Sequence, residues 1–191
     1  MSNYIAFLHG GIEKAGGKPL EDGNTLANQC LAKLQKIDNP EQFPPKLLLL
    51  LISANYLDRE NHLDEVRARQ LIAGVRQSFF EAGHRDIPLI GSSVAAVFYD
   101  RQIYYDGVLL VCLASRLLDI TVSVATNVSG DPDTAVNKLI NGLDIEHALD
   151  EYPRSLPNRT LLTFFPGTGT PGLTARNSTD KLHTLLLEKL T

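Results

Sequence analysis

The 191-residue chain has only two cysteines, Cys30 and Cys112. Two isolated cysteines make neither a disulfide framework nor a zinc site, so cross-links are not expected to hold this fold. The two could pair, but Cys112 sits inside the apolar run "GVLLVCLAS" and reads as a buried thiol. No cluster of lysine and arginine stands out, and the net charge is −4. That argues against nucleic acid and against an anionic membrane surface as partners. The start, "MSNYIAFLHGG", has no basic segment leading into a long apolar run, so no secretory signal is read there. "KLLLLLI" is too short to span a bilayer. A cytoplasmic location is the expectation. Metal-ligand spacing is also missing. His9, His62, His84, His147 and His183 are scattered, and none pairs with another histidine or cysteine, so no metal site is expected.

The chain is 43% apolar and 21% charged, ordinary for a globular protein and long enough to bury a core unaided. "YIAFL" (4–8) reads as a strand, and the glycine-rich residues 9–23 read as loop. Asn24 or Thr25 is expected to cap a helix running to about Lys36. "KLLLLLISA" (46–54) is a continuous apolar run after a proline pair. It suggests a central strand covered on both faces. Residues 64–82 are helical, with Val66, Leu71, Ile72, Val75, Phe79 and Phe80 as an apolar stripe and Gly83 as the stop. "IPLIG" (87–91) is a further buried strand. The stretch 94–126 is rich in Val, Ile, Thr and Tyr with short polar turns, and reads as an antiparallel meander. "DPDTAVNKLINGL" has a capping aspartate and a first-turn proline, hence a helix. "RTLLTFF" (159–165) and "TDKLHTLLLEKL" (179–190) add a strand and a helix.

These elements make a mixed α/β fold: a layered mixed sheet with a meander at 94–126 and helices packed on it. The layout of 46–72, apolar strand then polar loop then helix, is echoed weakly by 159–186. The echo breaks off at Thr191, which suggests that the natural protein continues. The expected organisation is one domain over 1–150 and the start of a second strand–helix repeat over 151–191.

Three motif matches carry chemistry. "GSSVA" (91–95) falls one residue short of the nucleophile elbow G-x-S-x-G, with Ala95 in the last glycine position. With "HGG" (9–11) as an oxyanion loop, Ser93 could be a hydrolase nucleophile. An elbow needs a helix after the turn, and "VAAVFYDRQIYYDG" has no helical stripe. "GTGTPG" (167–172) fits a dinucleotide fingerprint, but Pro171 lies inside it and no second strand or acidic residue follows. A loop is the plainer reading. Third, the apolar strands at 46–54 and 87–91 both run into small polar residues: Ser53, then Gly91, Ser92 and Ser93. If the strands are parallel, those residues lie side by side, where α/β sheets tend to bind ligands. Plain turn capping is the competing account of the same serines.

The stretch from about Gly23 to Leu143 resembles the N-terminal part of the FIST domain, the sensory domain of F-box and intracellular signal transduction proteins. The resemblance rests on "NTLANQCLAKL", on "PPKLLLLLISANY" ending in Ser53 and Tyr56, on "PLIGSSVAAVF", and on "DGVLLVCLAS" with "LLDITVSVATNVSGDPDTAVNKL". Ala95 and Ala96 stand where the family often has a second glycine. The resemblance implies a sensory domain without enzymatic activity. Its ligand would be an amino acid or similar small polar metabolite, held by Ser53, Tyr56, Gly91, Ser92 and Ser93. It further implies signalling through a partner; the broken-off echo and the leucine-rich last helix lead instead to the expectation of a missing C-terminal domain and of a weak homodimer in isolation. Some members bind haem, for which His9, His62 or His84 could supply an axial ligand.

Overall fold

The computed structural model describes residues 5–14, 17–59, 62–125 and 130–143. The chain divides into two compact units, residues 1–120 and 121–191. The boundary expected at 150, the strand at 159–165, the "GTGTPG" loop and the last helix lie outside the described residues.

The first unit is built on a four-stranded mixed sheet. Its strands are β1 (Ala6–Ile12), β2 (Pro45–Ser53), β5 (Leu89–Val94) and β8 (Val108–Ala114), in the order β1-β8-β2-β5. β8 runs antiparallel to both β1 and β2, while β2 and β5 are parallel. The parallel connection passes through short α2 (Ala54–Leu57), the two-residue strands β3 (Asp58–Arg59) and β4 (His62–Leu63), and the long helix α3 (Glu65–Glu81). A single 3₁₀ turn spans Pro40–Gln42.

α1 (Pro19–Leu34) and α3 share one apolar core with the sheet. Leu26, Cys30, Leu34, Leu71, Val75 and Phe79 from the helices meet Leu8, Leu48, Leu50, Ile52, Val108, Leu110 and Cys112 from the strands. Each fully buried leucine of this set contributes roughly 1.5–3 kcal/mol. Cys30 and Cys112 are free, buried thiols; the Cys30 thiol donates to the Leu110 carbonyl at 3.7 Å. Val66 and Phe80, expected on the buried stripe of α3, are exposed. They flank the contact arc that Leu71, Val75 and Phe79 occupy.

Three sequence expectations are corrected. α1 starts at Pro19 rather than at Asn24. Proline is at home in a first turn, where its missing N–H costs nothing, and Glu21 and Asp22 follow at the positive end of the helix. Asn24 sits inside the helix and accepts from Ser78 Oγ at 3.1 Å. "HGG" is not a loop but part of β1, because Gly10 lets the Leu26 backbone of α1 approach, where a Cβ would collide. The meander at 94–126 is not formed. Val97–Tyr99 (β6) and Gln102–Tyr104 (β7) make an isolated hairpin, turned by Asp100 and Arg101, both at positive φ. β8 then leaves the hairpin and inserts between β1 and β2, and "ITVSVA" (120–125) carries no strand.

In the second unit the described helix is α4 (Pro132–Gly142), capped by Asp131, whose carboxylate accepts from the Thr134 N–H at 3.1 Å. Among the described residues no helix is long and apolar enough to cross a membrane.

Candidate functional site

β2 and β5 register in parallel, with Leu50 opposite Gly91, Leu51 opposite Ser92, Ile52 opposite Ser93 and Ser53 opposite Val94. The expected neighbours therefore do meet at one end of the strand pair, on the β5 edge of the sheet. They meet as strand residues, not as a turn: Gly91, Ser92 and Ser93 all lie inside β5. Side chains alternate across a sheet, so the register divides the set. Gly91 and Ser93 share the face of Leu50 and Ile52, which looks towards α1 and α3. Ser53 and Ser92 share the face of Leu51.

Each of these residues has a distinct environment. Ser53 is fully buried; its N–H donates to the Gly107 carbonyl at 3.0 Å, and its Oγ has no partner. Ser92 Oγ donates to the Ser93 carbonyl at 3.0 Å, and Ser93 is exposed. Gly91 lies so close to the Leu50 carbonyl that a Cβ would collide with it.

Beyond the end of β2 lies a polar group that involves α1, α2 and α3. Tyr56 of α2 is 1% exposed, and its hydroxyl donates to Asp22 Oδ2 of α1 at 2.7 Å. Burial, then the hydrogen bond and negative charge of Asp22, push the Tyr56 phenol above its usual range, and Arg67 pulls partly the other way. Arg67 belongs to the first turn of α3. It is 7% exposed, its guanidinium carbon lies 4.8 Å from the Tyr56 ring centroid, and its Nε is buried without a partner. Among the described residues no carboxylate lies within ion-pair distance of it.

α3 runs antiparallel to β2. Phe79, near its last turn, lines a cleft with Leu48 from the first half of β2, so its first turn lies towards the strand's end. That cleft, about 330 Å³, is also lined by Arg76, Phe80, His84 and Arg85. Arg85 caps the Phe80 ring at 4.7 Å, and burial lowers the pKa of His84. The charged lining does not suit haem, which needs an apolar slot around its ring. His9, on the far edge strand, has its Nε2 3.1 Å from Lys33 Nζ and 3.5 Å from Asp100 Oδ1. Among the described residues no group of His, Cys, Asp and Glu is placed to hold a metal ion.

The hydrolase arrangement is not assembled. β1 and β5 are opposite edges of the sheet, three strand spacings or roughly 14 Å apart, so "HGG" cannot serve an oxyanion at Ser93. After β5 the chain enters the β6–β7 hairpin, not a helix.

Asp22 and Arg67 were missed from the sequence. A signal for Arg67 was present: a cation in the first turn of a helix opposes the helix dipole.

No family model matches the chain, and no curated protein matches it. Solved structures are similar over part of it. Hydrogenase maturation protein HypE in complex with ATP is 13% identical over 62% of this chain and 32% of that one, with a TM-score of 0.32. A second HypE structure is 13% identical over 62% and 34%, with a TM-score of 0.31. The protein tt0281 from Thermus thermophilus is 14% identical over 75% and 45%, with a TM-score of 0.33. The chain thus spans between a third and a half of the length of these structures.

Proposed function

We propose that this chain is a small-ligand-binding sensory domain, of the kind the FIST resemblance implies, acting in intracellular signal transduction rather than catalysis. Its ligand is an amino acid or a similar small polar metabolite. One observation carries the reading: β2 and β5, the parallel pair among the described strands, end beside the first turn of a 17-residue helix. Such strand ends are where α/β sheets hold ligands. On this reading the lining is Gly91 and Ser93, which share one face of the strand pair, with Tyr56 and the start of α3, and Ser53 and Ser92 support from the opposite face. The ligand signal would pass to a partner protein or to a further C-terminal domain.

The test is a thermal-shift screen of the full chain against the L-amino acids and small metabolites. A ligand at 100 times its dissociation constant stabilises by about 2.7 kcal/mol, which shifts Tm by several degrees. The expected hit loses most of its shift with Ser93→Val. A hit that Ser93→Val leaves unchanged, or no hit across the panel, removes the proposal.

A further inference from the structure

We infer that the ligand of this site carries an oxyanion, a carboxylate or a phosphate, and that Arg67 is the residue that takes it. The inference rests on the ligand-binding reading above and names the chemistry of its ligand. A guanidinium stays protonated at any physiological pH, so Arg67 is a buried cation. Buried charges are ordinarily paired, because desolvation is costly and an opposite charge nearby offsets it. Arg67 is 7% exposed and has no carboxylate partner among the described residues. Asp22, the acid of this polar group, accepts from Tyr56.

A second, independent feature points the same way. Arg67 occupies the first turn of α3, where the unsatisfied N–H groups already make the field positive. Asp64 caps only one of them, accepting from the Arg67 N–H at 3.0 Å. Cation and helix end therefore add, and both disfavour the empty state while favouring an anion. The guanidinium carbon lies 4.8 Å from the Tyr56 ring centroid, and Tyr56 is its neighbour in charge as well, while the buried Nε–H has no acceptor. A guanidinium with an unpartnered, buried Nε–H suits charge-assisted binding of a carboxylate or phosphate.

The experiment follows the Nε–H signals of the ¹⁵N-labelled full chain by NMR. Arg67 is assigned by its loss in Arg67→Met. The probes are L-amino acids, the corresponding amino-acid amides, succinate and inorganic phosphate. The expected result is a downfield shift of the Arg67 Nε–H with an acid or with phosphate, and none with amides. Affinity should fall about 10- to 100-fold in Arg67→Met, the loss of a charge-assisted hydrogen bond. Carboxylate and phosphate arms tell the two sources apart. Amides that bind as well as acids, with the Arg67 signal unmoved, overturn the oxyanion while leaving the ligand site standing. No binding by any probe overturns both. The ligand-free Tm supplies a separate readout. Arg67→Met should raise it by roughly 2–4 °C, because an uncompensated charge is removed. A lower Tm means the cation serves the fold and overturns the inference.

Discussion

The strand pair β2–β5 has two ends, both reached by α3, and they are built differently. Near the beginning of the strands the last turns of α3 form a cleft with arginines, a histidine and an exposed phenylalanine along its walls. Its charges reach solvent and its arginines have somewhere to rest, as Arg85 does on Phe80. At the other end the polar groups are inside. Tyr56 and Arg67 are almost completely buried, and two polar atoms, Ser53 Oγ and Arg67 Nε, have no partner. An open cleft whose charged side chains reach solvent costs the fold little and specifies little. A closed end with unsatisfied groups costs stability in the free protein, and buried polar groups of this kind call for an explanation in function. The cleft beside the last turns of α3 is therefore the weaker candidate.

The sharpest way to test this contrast is to delete packing where the cleft end is anchored. Phe79 is 2% exposed and belongs to the common core. Phe79→Ala should cost about 3–5 kcal/mol in urea unfolding, the usual range for a buried aromatic. At the other end of the same helix, Arg67→Met should stabilise. Opposite signs along one helix are the expectation. If both substitutions destabilise, the two ends do not differ in kind.

The next effect belongs to Tyr56. Tyr56→Phe removes a hydroxyl bonded to the Asp22 carboxylate and should cost about 1.5–3 kcal/mol, the range for hydrogen bonds to charged groups. Its pH dependence has a fixed sign. The folded phenol holds its proton beyond its ordinary value of 10, so the contribution is complete below pH 10. Above that, the unfolded chain loses a proton that the folded chain keeps, and stability falls. Cys30 and Cys112, which burial raises from 9.0 to about 12, weaken the core from pH 9 upward in the same sense. The alkaline loss measured in Tyr56→Phe should thus be shallower than in the parent but not absent. Equal slopes would mean that Tyr56 is not shielded as its geometry implies.

The sequence made some of this legible. The run of leucines in β2 and the helix α3 with its Gly83 stop were readable, because burial on both faces and a 3.6-residue period leave strong patterns; the parallel pairing of β2 with β5 entered only as a condition, which the register meets. What misled were glycines and β-branched residues. "HGG" reads as loop by composition, yet it is strand because Gly10 packs beneath Leu26. The stretch 94–126 is β-rich by propensity, but beyond the last residue of β5 the strands among its described residues are the hairpin and β8. Insertion of β8 between β1 and β2 is a long-range choice that no local pattern encodes. The adjacency expected of Ser53, Ser92 and Ser93 is met by the register. The division by the pleat was not foreseen, because it depends on a register that a single sequence leaves open. Arg67 and Asp22 went unseen because partners so distant in sequence leave no common spacing.

The smallest effect lies at the cleft end and runs in acid rather than alkali. Burial lowers the pKa of His84 from its ordinary 6.5, so the folded protein favours the neutral ring, tilted 6.3 Å from that of Phe79. Above pH 6.5 both states are neutral there and the contribution is complete. As pH falls through 6.5 the unfolded chain takes up a proton that the folded chain resists, and stability drops until the folded ring titrates as well. Arg76, Arg85 and Asp86 line the same cleft, so the effect of protonating His84 is set by its burial within a mixed-charge wall. Urea unfolding at pH 7.5 and pH 5 should show a larger acid loss in the parent than in His84→Gln. The Arg67 Nε–H signal should stay put over the same range, since the ring it rests against is Tyr56, whose phenol is raised above its ordinary value of 10. An Arg67 signal that moves with His84 would show the two ends to be coupled through α3, and their independence would be lost.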